Sequence, residues 1–285
     1  MGLPEKFDLH EFVMRVLAED LGTGGDVTSN ATIAADARFT AELSCRQSIV
    51  VAGLEVAAAF FTALDPKVRI EPLVDDGDYV ETGTVLMRLD GNARAMLAGE
   101  RSALNTLQHL SGIASMTRRY VDAIAGTGAT LLDTRKTVPG LRVLEKYAAR
   151  MGGAENHRMR LDDGVLIKDN HVAVCGGVAE AVRRAKAATT GLQIQVEVDW
   201  IDQIEPALAA GADRLLLDNM LPPVLREAVA LVGGRVPLEA SGGVTLETIR
   251  AIAETGVDYI SVGRVTQSAP AVDIGLDYSV ESLSQ

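Results

Sequence analysis

The chain has 285 residues, with 39 acidic against 27 basic side chains and a formal net charge of −12. A chain this anionic is a poor partner for nucleic acid or an anionic membrane surface, because phosphate-backbone recognition relies on clustered Lys and Arg, although a small anion in a locally basic pocket is not excluded. At 47% hydrophobic and 23% charged it has the composition of a globular protein, and a chain of this length buries roughly three quarters of its unfolded surface, in one large or two moderate domains.

The opening MGLPEKFDLHEFVMRVLAEDLG reads as an amphipathic helix. It has neither the charged and apolar regions of a secretion signal nor, with Lys6, the Ser or Thr of a myristoylation signal. The longest apolar stretch, residues 49–64, carries Glu55 and falls short of the roughly 18 residues a membrane span needs. The expected location is the cytoplasm. Cys45 and Cys175 lie far apart, without metal spacing, and are expected to be buried small hydrophobes.

Through the first hundred residues, ARFTAELSCRQSIVVAG and VRIEPLVDDGDYVETGTVLMRLDG carry short β-type runs broken by Asp-Gly and Gly turns, which suits antiparallel strands. The pattern G-D-x-V-x-x-G-x-x-L over residues 77–86 resembles the hairpin of biotinyl and lipoyl carriers. Those carriers modify a turn Lys, and none lies between Gly77 and Gly91. A small sheet used as a wall is the better reading.

Residues 100–126 read as one long helix, with Leu104, Leu107, Leu110, Ile113, Met116 and Tyr120 at helical spacing. Apolar runs then alternate with helical stretches: ATLLDT, GVLIKD, IQVEVD, DRLLLDN, VPLEAS and DYISVG, most followed by segments such as VAEAVRRAKAA or VLREAVALV. This predicts parallel βα units. Glu197, Asp218, Ser241 and Ser261 follow one another at intervals of 21, 23 and 20 residues, each at or near the end of its run. Such residues gather on one face of a TIM-like α/β barrel. Only about six strands are evident, so the barrel is expected to be incomplete.

Residues 133–171 hold eight Lys or Arg against six Asp or Glu, a surplus of +2 inside a −12 chain. Arg142, Lys146 and Arg150 recur at helical spacing and suit a solvated face. Arg135, Lys136 and Lys168 instead end apolar runs and Arg158 sits in a glycine-rich loop, an arrangement for a ligand with more than one negative group. Glu197 and Asp218 suit a hard cation such as Mg²⁺ better than zinc, the alternative being salt bridges to Lys136 or Lys168. EASGGVT, leading into TLETIRAIAE, and the later SVGR predict a phosphate site of backbone N–H groups at a helix start.

ERSALNTLQHLSGIAS, the long block LLDTRKTVPGLRVLEKYAARMGGAENHRMRLDDGVLIKDNHV, VEVD, LLLDNM, EASGGV and ISVG, with EDLGTGGDVTS near the start, together resemble the quinolinate phosphoribosyltransferases, which belong to the type II phosphoribosyltransferases. The resemblance implies conversion of quinolinate and phosphoribosyl pyrophosphate to nicotinate mononucleotide, pyrophosphate and CO2 with Mg²⁺, a step of NAD biosynthesis. It implies that Arg101, Arg135, His157, Arg158 and Lys168 hold the two carboxylates of quinolinate. Thr134 joins the substrate-binding set, while Lys136, Glu197 and Asp218 serve the pyrophosphate donor and its metal and carry the catalysis. Ser241, Gly242 and Gly243 with Ser261, Val262 and Gly263 surround the 5′-phosphate. The implied architecture is an N-terminal α/β open-faced sandwich over residues 1–114, to which a tail of residues 268–285 returns, and an open α/β barrel over residues 115–267. A homodimer with shared sites, Arg101 acting across the interface, is also implied, and a higher oligomer of dimers stays open. Ala154, Arg264 and Gln267 depart from the expected Gly, Ala and His. A nicotinate-specific transferase would need one carboxylate site rather than two, a Schiff-base aldolase would use Lys168 as nucleophile, and a non-enzymatic phosphate carrier would leave the acidic pair unexplained.

Overall fold

The computed structural model describes residue 3, residues 7–188 and residues 191–278. The chain opens with α1 (Leu9–Leu21), α2 (Val27–Thr32), β1 (Arg38–Cys45), β2 (Ile49–Val50) and α3 (Leu54–Leu64). Strands β3 (Arg69–Pro72), β4 (Tyr79–Val80) and β5 (Val85–Asn92) precede the long α4 (Ala93–Ala123), which leads to β6 (Thr130–Leu132), α5 (Arg142–Met151) and β7 (Val165–Ile167). Then come α6 (Asp169–Cys175), α7 (Val178–Ala188), β8 (Ile194–Val198), a 3-10 turn (Ile201–Gln203) running into α8 (Ile204–Ala209), and β9 (Arg214–Asp218). The described chain finishes with α9 (Pro222–Val232), β10 (Leu238–Ser241), α10 (Ile249–Ala253), β11 (Tyr259–Ser261), α11 (Arg264–Gln267) and β12 (Ile274–Tyr278).

These elements form two compact units. One comprises the described residues up to Met116, Val143–Gly152, and the described residues from Ala269; the other comprises Thr117–Arg142 and Gly153–Ser268. The expected return of a tail over residues 268–285 falls partly on residues 279–285, which lie outside the described residues.

In the first unit, β12, β1, β5 and β3 form a four-stranded antiparallel sheet in that order. Alternation in RFTAELSC buries Ala41, Leu43 and Cys45 on one face. Phe60 and Phe61 of α3 are likewise buried, and Phe12 of α1 meets Phe60 edge-on at 6.1 Å. The opening helix forms over Leu9–Leu21, capped by Asp8, whose carboxylate accepts from the Glu11 N–H at 2.8 Å. The long helix starts at Ala93 rather than at residue 100, because the Asn92 side chain accepts from the Ala95 N–H at 3.1 Å and caps it.

Two expectations fail by burial. The polar stripe of α5 is not a solvated face: Lys146 is fully buried, as is Glu145, whose carboxylate lies 2.8 Å from His109 Nε2. Cys175 is only partly buried, while Cys45 is enclosed as expected.

The second unit is built on a six-stranded parallel sheet in the order β6-β11-β10-β9-β8-β7. The protein is therefore a mixed α/β fold, and the strands are near-continuously apolar because both faces are covered, with Val196, Val198, Leu215, Leu217 and Ile260 fully buried. A repeated device sets the register. Asp213 and Asp258 each precede a strand, and each side chain accepts from the first N–H of the neighbouring strand, at Ile194 (2.8 Å) and Leu238 (2.7 Å). β8 and β9, and β10 and β11, are thus held in step, and between the two pairs Asp218 stands opposite Ser241. Strand C-termini come level along one edge, which positions the site.

Candidate active site

At that edge of the second unit lies a cavity of about 790 Å³. Every site residue anticipated from the sequence lines it except Arg101. Arg101 stands on α4 in the first unit, its side chain 61% exposed and 4.0 Å from Glu100.

The basic wall comes from the loops after β6 and α5. Thr134, Arg135 and Lys136 follow β6, and the Thr134 hydroxyl accepts from the Lys136 N–H at 3.0 Å, turning the chain sharply at the cavity. The segment bearing His157 and Arg158 is laid beside β6 by a parallel bridge between Leu132 and Glu155. Buried Asp133 fastens it, accepting from the His157 N–H at 2.8 Å and from Asn156 Nδ2 at 2.5 Å. Arg158 donates to the Gly164 carbonyl at 3.0 Å. Burial, and after it the neighbouring Arg135 charge, lower the Arg158 guanidinium pKa below its ordinary value. Two cations held together against their repulsion are stabilised by a doubly negative ligand.

The acidic wall carries Glu197 on β8 and Asp218 at the end of β9, and Asp199 stands beside them. One carboxylate oxygen from each lies within 4.8 Å of the others. Burial first, and the Glu197 charge second, push the carboxyls of Asp218 and Asp199 above the ordinary range. Lys168, at the end of β7, sets its Nζ 2.5 Å from Glu197 Oε2. The salt-bridge alternative is thus realised for Lys168 and Glu197 while two carboxylates stay close by. An all-oxygen donor set of this kind fits a hard divalent cation.

The glycine-rich wall follows β10 and β11. Gly242 and Gly243 take φ of 92° and 60°. At Gly242 a Cβ would also fall 2.9 Å from the Asn219 backbone nitrogen, so glycine is needed there twice over. Ser261 Oγ bonds Ser241 Oγ at 3.0 Å and ties the two loops together. At Gly263 a Cβ would meet Lys136 Cδ at 2.8 Å. The SGGVT segment does not open directly into a helix as expected. A turn closed by Thr248, whose hydroxyl accepts from the Thr245 N–H at 3.0 Å, intervenes, and α10 begins only at Ile249.

His171, close to Lys168 in the chain, does not line the cavity. Its Nδ1 accepts from the Lys168 N–H at 2.9 Å, which caps α6. Arg264 and Gln267 both line the cavity beside the glycine loops. The sequence reading missed Asp199, Asn219 and Glu239. Asn219 has the one positive φ outside glycine among the described residues, 53°, and donates its side-chain amide to Asp218 at 2.5 Å. Glu239 is fully buried yet reaches the cavity wall.

The sequence matches the family descriptions "Quinolinate phosphoribosyl transferase, N-terminal domain" over residues 26–111 and "Quinolinate phosphoribosyl transferase, C-terminal domain" over residues 113–277. The chain belongs to the quinolinate phosphoribosyltransferase family. Among its relatives in that family is a probable nicotinate-nucleotide pyrophosphorylase (carboxylating) of Bacillus subtilis, 42% identical over 277 residues, covering 97% of this chain and 95% of the relative. The nicotinate-nucleotide pyrophosphorylase (carboxylating) of Mycobacterium leprae is 43% identical over 272 residues, covering 93% and 95%. The solved nicotinate-nucleotide pyrophosphorylase of Francisella tularensis superimposes with a TM-score of 0.91 at 40% identity, covering 95% of this chain and 96% of that one. No helix among the described residues is long and apolar enough to cross a membrane.

Proposed function

We propose that this protein transfers the phosphoribosyl group of phosphoribosyl pyrophosphate to the ring nitrogen of quinolinate with loss of CO2, giving nicotinate mononucleotide and pyrophosphate for NAD biosynthesis. The observation that carries this reading is the division of one cavity into a cationic wall, a carboxylate wall and a glycine-rich wall, matching a dianionic ring, a metal-bound diphosphate and a sugar phosphate. Relatives sharing about 40% of the sequence over nearly its whole length carry names for the same reaction.

In this reading Arg135, Arg158 and Lys168 hold quinolinate and present its nitrogen to C1 of the ribose, with His157 in the wall beside them. That nitrogen has no proton to lose, so the attack needs no general base. Breaking the C1–oxygen bond builds positive charge on the sugar, which Glu197 and Asp218 stabilise, and negative charge on the departing pyrophosphate, which Lys136 stabilises. Ribosylation turns the ring into a pyridinium, an electron sink that eases departure of the adjacent carboxylate as CO2, the ring carbon keeping the bonding pair and taking a proton from solvent. Ser241 to Gly243 and Ser261 to Gly263 offer N–H and hydroxyl donors to the 5′-phosphate. Glu197, Asp199 and Asp218 would hold Mg²⁺, which when bound neutralises charge on the diphosphate.

The reading extends to architecture and assembly: the six-stranded sheet as an incomplete α/β barrel, the first unit as an open-faced sandwich, and a cytoplasmic homodimer in which the exposed Arg101 of one protomer completes its partner's site. The Lys168 amine is engaged by the Glu197 carboxylate, an arrangement that occupies it in an ion pair and counts against the Schiff-base alternative. Purified protein given Mg²⁺, quinolinate and phosphoribosyl pyrophosphate should release CO2 and nicotinate mononucleotide in equal amounts. Absence of both products would remove the assignment.

A further inference from the structure

Behind the cationic wall lies a buried polar cluster that the reaction above leaves without a task. Glu239, on β10, is fully buried. Its Oε2 accepts from Gln195 Nε2 at 2.8 Å, lies 2.8 Å from Arg214, and sits 3.4 Å from His157 Nε2. The Arg214 guanidinium is in turn stacked on the Tyr259 ring at 3.9 Å. Burial opposes ionisation of Glu239, but the hydrogen bond with His157 and the Arg214 charge outweigh it and hold the carboxyl below its ordinary range.

His157 is thereby held at both ring nitrogens. Nδ1 accepts from the Arg158 N–H at 2.7 Å, so it carries no proton; the ring proton must sit on Nε2, facing Glu239. The backbone of Arg158, which with Arg135 forms the arginine pair of the basic wall, is therefore bonded to a ring whose orientation is set from the opposite side by Glu239. We propose that Glu239 is a positioning residue which fixes His157 as the Nε2–H tautomer and, through the His157 Nδ1 to Arg158 N–H bond, keeps the arginine wall assembled for its dicarboxylate. This inference rests on the quinolinate reading for the ligand but not for the tautomer.

The test uses the whole protein, labelled with ¹⁵N-histidine and observed near pH 8, with His157 assigned by the signal lost in His157→Gln. Long-range proton–nitrogen correlations should report Nε2–H for the wild type and for Glu239→Gln, whose amide oxygen can still accept. Glu239→Leu should give a mixture of tautomers. Gln195→Leu, which removes a donor to Glu239 without touching His157, should leave the tautomer unchanged and serves as the folding control. In calorimetric titrations Glu239→Leu should weaken quinolinate binding at least tenfold more than phosphoribosyl pyrophosphate binding, and Glu239→Gln should restore most of the loss. An Nδ1–H tautomer in the wild type would overturn the proposal. So would a Glu239→Leu protein with unchanged tautomer, or equal weakening of both substrates. If the wild type binds no quinolinate, the reaction assignment fails while the tautomer experiment still decides the role of Glu239.

Discussion

Lys168 Nζ and Glu197 Oε2 stand 2.5 Å apart at the ends of adjacent parallel strands, so a cation of the basic wall and an anion of the acidic wall compensate each other. Removing the charge of one member at matched size leaves the other uncompensated at a partly enclosed site, which is costly. Lys168→Met should therefore lower kcat/KM by at least 100-fold, and steady-state kinetics with both substrates would measure it. Treating the wild type with borohydride and a carbonyl donor should leave its mass unchanged.

Metal binding should titrate where the raised carboxyls do. Burial, then Glu197, favour the protonated forms of Asp218 and Asp199, and Mg²⁺ needs them ionised. Affinity should thus fall with decreasing pH from a point above the ordinary carboxylate range. Fluorescence of Trp200, the single tryptophan and the chain neighbour of Asp199, offers a readout. Asp218→Asn should weaken Mg²⁺ about tenfold by removing a ligand charge.

The same shifts have a sign for stability. A carboxyl whose folded pKa is raised binds more protons folded than unfolded, so its contribution to stability falls as pH rises from the ordinary to the raised value. Without metal, Asp218→Asn should melt about 2 °C higher than the wild type at neutral pH, the shift expected for about 1 kcal/mol in a chain of this size. Scanning calorimetry at pH 7.5 and at a pH below the ordinary carboxylate value should show the difference vanish at the lower pH.

Arg135→Ala should raise KM for quinolinate at least 30-fold, about 2 kcal/mol, with KM for phosphoribosyl pyrophosphate within threefold. Nicotinate, with one carboxylate, should not be converted at a comparable rate. Mixing Arg101→Ala with Arg135→Ala should restore roughly a quarter of wild-type activity, the fraction of intact sites when two-fold dimers exchange at random. If Arg101 serves its own chain, mixing restores nothing.

Gly242→Ala should cost about 1–3 kcal/mol, because alanine is strained at that φ and its methyl meets Asn219. A lower melting temperature together with weaker binding of phosphoribosyl pyrophosphate would be the expected pair of effects.

The strand-end residues were legible because a βα unit repeats in sequence as well as in space, so Glu197, Asp218, Ser241 and Ser261 declared themselves by interval and by polarity at the close of apolar runs. Asp199 could have been found by the same logic: in VEVD it stands two residues after Glu197, hence on the same side of an extended chain. Glu239 bears that relation to Ser241, but a carboxylate inside a strand is equally a surface residue until its donors, Arg214, Gln195 and His157, are known, and those come from three other segments. Asn219 left no trace beyond the tolerance of Asn for left-handed backbone. The stripe of Arg142, Lys146 and Arg150 misled because spacing tells which residues share a helix face, not whether that face meets water or other buried charges.

The antiparallel pairing of β12 with β1 joins strands more than two hundred residues apart. Every residue of the unit that carries the cavity lies between them in the chain. During synthesis, therefore, the parallel sheet can complete its pairing on the ribosome while the antiparallel sheet still waits for its fourth strand. The edge of β1 that β12 covers must therefore stay unpaired while the whole unit that carries the cavity is translated.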